Sequence, residues 1–454
     1  MNIITQIEKD LDTESLNING FNVWQGLKGY LWAKLVNNTD AHQSLGWREM
    51  LKLLASSFFG FKNYFKNHKY WFFTSSINRR LVHGKLYDTY CDYPATSLGN
   101  SLVIETPIYS LAAKRDIKSK HRISSFPLIL AERLLAKFYS IPNNHKLHET
   151  NNYLKDFNST IDILPICKRM YAQYLVMNFL LRFKKPEVVF IIAPYTKTGY
   201  VRAFKERGIK VVEPQHGVIN KEHYGYNSSI AINDMYLPDV LLTFGENEEK
   251  IFKNNKIKIR ELYVVGRFYC DYMNESFESN IEIEKLKIDY KKTIAVSLQD
   301  NEVGLKLVQF VIDAAKKQQN ILYLLKARKT PIAVYLAKFN FPSNVVFNEL
   351  QDVYETILSA DFHVSANSSC ILEAPAMGVR NIAVDIDGMA TKYFGEQFKN
   401  SQNTLFVNEI DEFLAVIESE KVLEKMVVKN EHKGIISPNY KTRINNFLKQ
   451  LEAS

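Results

Sequence analysis

A chain of 454 residues is too long for one ordinary hydrophobic core, so its length predicts two domains. An apolar fraction of 46% and an aromatic fraction of 13% exclude an intrinsically disordered chain. Lys and Arg outnumber Asp and Glu by 58 to 49, and this net charge of +9 favours an anionic partner: a nucleotide sugar, a lipid pyrophosphate, a membrane surface or a nucleic acid.

Cysteine spacing and the longest apolar runs indicate the compartment. The four cysteines form neither a CxxC motif nor the Cys/His spacing of a zinc site, which predicts a reducing environment. The polar, acidic start does not resemble a secretion signal. The longest apolar runs, such as 188–193, are far shorter than the roughly 20 residues of a membrane span. We therefore expect a cytoplasmic protein.

Short β-branched runs alternate with helical stretches, which predicts βαβ units and a parallel sheet. In the first half the predicted strands are 71–74, 101–105, 187–193, 210–213, 240–244 and 262–265. Between the second and third of these lies a long stretch, about 108–184, whose apolar residues recur at helical spacing. It predicts a helical insertion in the N-terminal domain.

Residues 271–291 are polar and charged, and they predict a linker. Beyond this segment the predicted strands are 293–297, 321–325, 345–347, 362–365 and 380–384, and the last fifty residues are predicted to be helical. The pattern predicts an α/β protein with two Rossmann-like domains, 1–275 and 276–454. Their parallel sheets are expected to face a cleft that holds the active site.

A polar turn follows the predicted strand 362–365. Asn367, Ser368 and Ser369 lie in this turn, and Glu373 lies one helical turn further on. Ligands of an open parallel sheet bind at the carboxyl ends of its strands, close to helix N-termini. The serines are therefore candidates for binding a phosphate, and Glu373 for accepting hydrogen bonds from a ribose. The alternative is that Asn367 and Ser368 only cap the helix and that the helix dipole favours Glu373.

Basic residues follow two other predicted strands. Lys326 and Arg328 lie two positions apart after strand 321–325, where two cations would suit a phosphate-bearing leaving group. A solvated basic strand end is the alternative. Ser297, at the end of the preceding strand, is a further candidate for the same pocket. Arg267, after the last strand of the first half, either reaches the cleft or lies on the surface.

In the N-terminal half, the end of the fourth predicted strand leads into Gln215, His216 and Gly217. Histidine can transfer a proton near neutral pH, and Glu222 and His223 follow within seven residues. These three acid–base residues are candidate catalytic groups, with Gln215 and Gly217 as neighbours in the cleft. The alternative is that His216 has a purely structural role.

Residues 51–87 contain no acidic residue, and their Lys and Arg side chains are interleaved with aromatic ones. Such a stretch can lie on an anionic membrane surface, or half of its aromatic side chains belong to the domain core. The basic charge is not accompanied by a nucleic-acid-binding motif, so we expect no nucleic-acid partner.

Four short motifs occur in a recognisable order. They are Gln215-His216-Gly217, Phe244-Gly245-Glu246, Val265-Gly266-Arg267, and Asn367-Ser368-Ser369 followed by Glu373-Ala374 and Gly378. Together they resemble the motifs of bacterial capsule and surface-polysaccharide glycosyltransferases of the GT-B fold, over roughly residues 187–390. Similar loops occur in teichoic-acid glycerophosphotransferases, and the C-terminal motif also resembles UDP-N-acetylglucosamine 2-epimerases.

The resemblance implies transfer of a sugar from a nucleotide-sugar donor to a glycan acceptor, expected to be lipid-linked. Ser368, Ser369 and Glu373 would hold the donor on the C-terminal domain, and His216 of the acceptor domain would face the reaction centre. No metal or other cofactor is expected, because GT-B enzymes stabilise the departing phosphate with a helix dipole and basic side chains. The chain lacks the His-Pro pair of sialyl- and Kdo-type transferases, which argues against a CMP-sugar donor. We expect a cytoplasmic protein, either free or peripheral at the inner face of the cytoplasmic membrane.

Three other functions fit the same residues. A sugar-nucleotide epimerase of this fold needs no acceptor, and a glycerol- or ribitol-phosphate transferase differs only in its donor. A non-catalytic scaffold of a polysaccharide assembly complex would bind nucleotide or membrane without turnover.

Overall fold

The computed structural model describes residues 3–32, 34, 47–58, 60–107, 121–141, 145–156, 161–253, 255–399 and 401–453. The chain divides into two compact units. The first consists of Met1–Thr243, Glu248–Val264 and Thr442–Ser454, and the second of Phe244–Asn247 and Val265–Lys441.

The first unit is built on a seven-stranded parallel sheet. Its strands, with those of two short antiparallel hairpins, are β1 (Asn17–Ile18), β2 (Phe21–Asn22), β3 (Tyr70–Ser75), β4 (Arg79–Val82), β5 (Lys85–Asp88), β6 (Ser101–Thr106), β7 (Arg122–Ser124), β8 (Val188–Ile191), β9 (Lys210–Pro214), β10 (Val240–Thr243) and β11 (Glu261–Val264). The sheet order is β7-β6-β3-β8-β9-β10-β11, with all neighbours parallel. This is the doubly wound Rossmann order, which reverses direction between β3 and β8.

Helices pack around this sheet. They are α1 (Ile3–Asp10), α2 (Trp24–Leu31), α3 (Trp47–Ser56), α4 (Asp92–Leu98), α5 (Phe126–Phe138), α6 (His145–Asp156), α7 (Leu164–Leu180), α8 (Thr198–Lys205) and α9 (Asn247–Lys253). One core cluster joins Met177 and Leu181, at the end of α7, to Val201 and Phe204 of α8 and to the buried residues of β3 and β8. Burial of these apolar side chains on one face holds the helices on the sheet.

The stretch 108–184 is helical over α5–α7, as predicted, and it also contains the edge strand β7. Residues 108–120, 142–144 and 157–160 lie outside the described residues. Because α5–α7 connect β7 to β8, they form the crossover at which the strand order reverses. The extra length that predicted an insertion therefore belongs to this crossover. Strand β7 is only three residues long, too short to give a clear period-2 pattern.

The second unit repeats the same design. Its strands are β12 (Lys292–Ser297), β13 (Ile321–Lys326), β14 (Val345–Phe347), β15 (Phe362–Ser365), β16 (Arg380–Val384) and β17 (Thr404–Val407). They are all parallel, in the order β14-β13-β12-β15-β16-β17, so the direction reverses between β12 and β15. Its helices are α10 (Phe268–Ser276), α11 (Ile281–Lys287), α12 (Glu302–Lys317), α13 (Ile332–Lys338), α14 (Val353–Leu358), α15 (Cys370–Ala376), α16 (Met389–Phe398), α17 (Ile410–Ser419) and α18 (Lys425–Glu431).

The boundary between the units differs from the predicted one at 275/276. The second unit begins its main segment at Val265, and most of the final helix, α19 (Tyr440–Ala453), belongs to the first unit. The predicted linker 271–291 is largely helical, in α10 and α11. Asn280 caps α11, with acidic residues in its first turn and lysines in its last, so its charges follow the helix dipole.

The basic and aromatic segment 51–87 divides between core and surface. Tyr70, Trp71, Phe72 and Phe73 are buried in the central strand β3, as the core interpretation predicted. Arg79 is also buried and forms ion pairs with Asp92 and Glu105. Before β3, Phe58, Phe61 and Phe65 are exposed, whereas Tyr64 is half-buried. Phe59 lies outside the described residues.

Two of the motif glycines lie against one stretch of main chain in the second unit. A Cβ on Gly245 would overlap the carbonyl oxygens of Gly434 and Ile435, and a Cβ on Gly266 would overlap the carbonyl oxygen of Ser437. The carbonyl of Phe244 accepts a 2.8 Å hydrogen bond from the N–H of Ser437. Gly266 also has a φ of +83°. The residue type at these positions is therefore set by close packing of the backbone.

Replacing Gly266 by Ala is expected to destabilise the second unit more than replacing Gly388. Gly388 also has a positive φ, +71°, but a Cβ there meets nothing within 4 Å. Gly388→Ala should therefore cost only the conformational penalty, about 1–2 kcal/mol. Gly266→Ala should cost about 1–3 kcal/mol more, because the main chain at Ser437 must move. Urea denaturation measures both, and equal costs would show that the close approach does not constrain residue 266.

Candidate functional site

The reversal point of the second sheet brings together the ends of β12 and β15. Ser297, the last residue of β12, is buried, and its carbonyl accepts a 2.9 Å hydrogen bond from the hydroxyl of Ser365. The Ser297 hydroxyl lies 2.8 Å from Nε2 of His363. In open parallel sheets this is the place where ligands bind. The structure thus places Ser297 at the reversal point of the second sheet.

His363 links Ser297 to the next strand. Its Nδ1 lies 2.7 Å from Oδ1 of Asn381, whose amide group donates a 2.6 Å hydrogen bond to the carbonyl of Ile371. Because that amide group faces Ile371, Oδ1 accepts the Nδ1 proton, and Nε2 accepts the Ser297 hydroxyl. Burial lowers the pKa of His363 to about 4, so the ring is neutral near pH 7. The network fixes the loop after β15 and directs the Ser297 hydroxyl proton away from any ligand.

The polar turn before α15 holds two buried acceptor atoms. Oδ1 of Asn367 is buried and accepts no hydrogen bond within the described part of the chain. Glu373 is 1% exposed; its Oε1 forms an ion pair with Nη1 of Arg267, and its Oε2 accepts no hydrogen bond from a described residue. Ser368 accepts a 3.2 Å hydrogen bond from the N–H of Cys370, the first residue of α15, while the N-cap residue itself is Ser369, whose side chain makes no capping hydrogen bond. Ser369 is exposed beside it.

Arg267 is the partner of Glu373 and not a surface arginine. Its Nη2 donates a 2.7 Å hydrogen bond to the hydroxyl of Tyr354, and its guanidinium lies 5.4 Å from the ring centre of Phe244. A buried carboxylate requires such a countercharge, since an unpaired charge would be strongly destabilised. Arg267 therefore sets the position of Glu373.

Lys326 and Arg328 have different surroundings, although the sequence suggested that they act together. The ammonium group of Lys326 donates a 2.8 Å hydrogen bond to the carbonyl of Asn348 and another to that of Gln351. Lys326 thus holds the loop after β14. Arg328 is exposed and lies 3.3 Å from Oε1 of Gln299, so it is the more accessible of the two cations.

His216 lies at a strand end of the first sheet, beside the reversal point. It follows β9, whose neighbour β8 leads into Tyr195. His216 is half-buried; its carbonyl accepts a 3.0 Å hydrogen bond from the hydroxyl of Tyr90, and its Nε2 lies 3.5 Å from the hydroxyl of Tyr195. Two tyrosines therefore orient His216.

His223 lies on the other side of Tyr195. Its Nδ1 accepts a 3.2 Å hydrogen bond from the N–H of Gly225, and its Nε2 lies 3.4 Å from the Tyr195 hydroxyl. The centre of the His223 ring lies 4.3 Å from the centre of the Trp32 ring. Burial, followed by the charge of His216, lowers the pKa of His223 to about 3. Because its pKa is so low, the His223 ring stays neutral near pH 7, and it suits a positioning role better than acid–base catalysis.

Gln215, Gly217 and Glu222 shape the loop around His216. The side chain of Gln215 is buried and donates to the carbonyl of Gly217 at 3.0 Å and to Oε1 of Glu248 at 2.9 Å. Glu222 is half-buried, and its N–H donates a 3.0 Å hydrogen bond to Oδ1 of Asn220. The structure places all five candidate residues of this half in one strand-end loop.

Sequence reasoning missed the buried groups next to this loop. Glu213, at the end of β9, accepts a 2.5 Å hydrogen bond from the hydroxyl of Tyr226, and burial raises its pKa to about 8. Burial also lowers the pKa of Lys197 to about 8, against the opposing charges of Glu132 and Glu213. In the sequence, Glu213 showed only as a carboxylate within an apolar strand, and Lys197 only as a lysine just before a helix.

Replacing Glu213 by Gln is expected to stabilise the protein at alkaline pH. Because the pKa of Glu213 is raised from 4.5 to about 8, the folded chain keeps a proton that the unfolded chain loses. Stability is therefore full below pH 4.5 and falls as the pH rises to about 8. The glutamine variant should lose this part of the pH dependence, which urea denaturation of both proteins across that interval measures. An unchanged dependence would contradict the assignment.

No family model and no curated protein matches the chain. Solved structures do resemble it. The S. aureus MnaA–UDP complex has a TM-score of 0.53 at 12% identity, with 85% of this chain and 97% of that chain covered. A UDP-GlcNAc 2-epimerase from Methanocaldococcus jannaschii has a TM-score of 0.51 at 11% identity, covering 85% and 99%. The glycotransferase of kitacinnamycin has a TM-score of 0.50 at 10% identity, covering 83% and 96%.

These similarities confirm the predicted fold class: an α/β chain of the GT-B type, with two Rossmann-like units. At identities of 10–12% they concern the fold alone. Within the described residues, no helix is both long and apolar enough to cross a membrane.

Proposed function

We propose that this protein is a glycosyltransferase that moves a sugar from a nucleotide-sugar donor to a glycan acceptor. The observation that carries the proposal is Glu373. Its carboxylate is buried, paired on one oxygen with Arg267, and accepts no hydrogen bond from a described residue on the other. It lies beside the reversal point of a Rossmann sheet, where nucleotides bind. A fixed carboxylate there suits the hydroxyls of a ribose, which donate hydrogen bonds to it.

We place the donor phosphates beside the turn that precedes α15. Ser369 and Arg328 are exposed there, and Oδ1 of Asn367 has no donor among the described residues. Arginine can bind a phosphate with two parallel hydrogen bonds. In this proposal Ser368 and Lys326 contribute by holding the loops, since the structure commits their polar groups to main-chain partners.

We assign His216 as the base that takes the proton from the acceptor hydroxyl. It is half-buried at a strand end, and Tyr90 and Tyr195 orient it. His223 and Glu222 then support the loop. The proposal needs no resident metal, because an arginine and helix-start N–H groups can stabilise the charge of the departing phosphate. We further propose a lipid-linked surface-polysaccharide acceptor, such as a capsule or O-antigen intermediate, at the inner face of the cytoplasmic membrane.

A sugar-nucleotide epimerase is the second candidate. Two of the solved structures with similar folds are described as MnaA bound to UDP and as a UDP-GlcNAc 2-epimerase. Epimerisation would use the same nucleotide site but no acceptor. It would also break and re-form a C–H bond of the sugar, so it exchanges that hydrogen with solvent.

One experiment separates the two candidates. The purified protein is incubated in D2O with nucleotide sugars, with and without a membrane extract as the source of lipid-linked acceptor, and products are analysed by mass spectrometry. Release of free nucleotide that depends on the extract supports the transferase. Deuterium in the recovered nucleotide sugar without the extract would overturn it in favour of the epimerase. If neither free nucleotide nor deuterated nucleotide sugar is formed, both candidate functions are contradicted.

A further inference from the structure

Large apolar side chains are exposed on four neighbouring elements of the first unit. These elements are α3, the 3-10 helix Phe61–Phe65, α5 and the end of α7. The residues, each at least 38% exposed, are Trp47, Leu51, Leu54, Phe58, Phe61, Phe65, Leu130, Leu134, Phe138, Phe179 and Phe183. We call this set the basic apolar surface, for the charges described below.

Contacts between the elements make this one surface. Helix α3 packs on α5, and α5 packs along α7. The hydroxyl of Tyr64, in the 3-10 helix, donates a 2.6 Å hydrogen bond to the carbonyl of Ser124, two residues before α5. Beyond α7, the ammonium group of Lys184 donates a 3.1 Å hydrogen bond to the carbonyl of Lys66. The exposed phenylalanines of the four elements are thereby held near one another.

The apolar residues recur at helical spacing. Residues 47, 51, 54 and 58 form one stripe along and just beyond α3, and residues 130, 134 and 138 form one along α5. The opposite side of each helix faces the protein, as the burial of Leu53 in α3 and of Glu132 in α5 shows. Stripes of this size facing water indicate a binding surface, since isolated exposed apolar residues are common but contiguous ones are not.

The charge of the same elements is strongly positive. Segments 47–66, 126–138 and 179–185 contain nine Lys and Arg residues: Arg48, Lys52, Lys62, Lys66, Arg133, Lys137, Arg182, Lys184 and Lys185. Their acidic residues are Glu49, which is half-buried, and Glu132, which is buried. A surface of exposed phenylalanines among cations matches an anionic bilayer, which offers acyl chains beneath negative headgroups.

We propose that the basic apolar surface binds the anionic face of a lipid bilayer. Its apolar side chains insert at the boundary between headgroups and acyl chains, and its lysines and arginines lie among the headgroups. This places the membrane contact before β3 and on α5 and α7, whereas the aromatic residues of β3 belong to the core. The inference depends on these surface residues and not on the proposed enzymatic function.

The test is sedimentation of the whole protein with vesicles of phosphatidylcholine alone or of equal parts phosphatidylcholine and phosphatidylglycerol. Binding is expected only to the anionic vesicles and should weaken with salt. Phe58→Ser with Phe138→Ser should lower the partition coefficient by about tenfold or more. Lys62→Gln with Lys137→Gln should lower it by about 25-fold, or about fivefold for each lysine.

Matched control variants come from exposed positions elsewhere. Val334→Ser with Leu336→Ser removes apolar side chains of the second unit, and Lys338→Gln with Lys449→Gln removes two lysines outside the surface. Both should bind as the wild type does. Equal binding to the two vesicle types would overturn the proposal. So would a dimer in size-exclusion chromatography that the Phe58/Phe138 variant abolishes, because the surface would then be covered by a second copy.

Discussion

Replacing Glu373 by Gln is expected to weaken nucleotide-sugar binding by roughly 10- to 100-fold, because a hydrogen bond to a charged group contributes about 1.5–3 kcal/mol. The side chain keeps its shape but loses the charge that draws the hydroxyl protons. Isothermal titration calorimetry with the donor measures the change. Since Arg267 loses its countercharge, the variant is expected to unfold more easily, and its thermal melting is measured first.

Tyr354→Phe is the matched control for this variant. It removes the hydrogen bond from Arg267 to the tyrosine hydroxyl but leaves the Glu373 carboxylate in place. Both variants disturb the same cluster, so a structural effect would appear in both. We expect Tyr354→Phe to bind the donor within about tenfold of the wild type, since one such hydrogen bond contributes at most about 1.5 kcal/mol. Equal losses in the two variants would contradict a direct contact between Glu373 and the donor.

Replacing His216 by Gln is expected to lower kcat by roughly 100- to 10,000-fold, the usual contribution of a general base. Nucleotide binding should stay unchanged, because the proposal places the nucleotide on the second unit. Glutamine keeps a polar group near the Tyr195 hydroxyl, so the loop should retain its structure. Single-turnover rates report the chemical step, and calorimetry reports binding.

His223→Gln provides the comparison for the catalytic assignment. Because the pKa of His223 is lowered to about 3, its ring does not change charge over the neutral pH range. Its replacement is expected to disturb Tyr195 but to leave the shape of the pH–rate profile intact. A profile altered by His223→Gln and unaltered by His216→Gln would reverse the two roles.

The regular elements could be predicted from the sequence because their signals are local. Each predicted strand, from 71–74 to 380–384, overlaps an observed one, since buried parallel strands are short β-branched runs bounded by polar turns. The edge strands β7 and β17 were missed. Each has at most four residues and only partial burial, so the local pattern is weak. The membership of α19 in the first unit depends on tertiary contacts, which no local pattern reports.

The candidate sites were predictable in position more than in detail. Strand ends marked the regions of His216 and Glu373, because parallel strands bring their carboxyl ends to one edge. The pairing of Arg267 with Glu373 joins residues 106 positions apart, and nothing in the local sequence shows it. At Lys326, by contrast, the local sequence predicted a contact that the structure does not show. Its place at a strand end predicted a ligand contact, but its ammonium group binds the carbonyls of Asn348 and Gln351.

The most direct test of the central claim is a thermal-shift screen against UDP, GDP, CDP, CMP, dTDP and their common sugar conjugates, in the wild type and in Glu373→Gln. A ligand that binds only the folded state stabilises it by about 2.7 kcal/mol at a concentration 100-fold above its Kd. We predict that one nucleotide and its sugar conjugates raise the Tm of the wild type and not that of the variant. If no nucleotide raises the Tm at millimolar concentration, or if wild type and variant respond equally, the donor site assigned to Glu373 is contradicted.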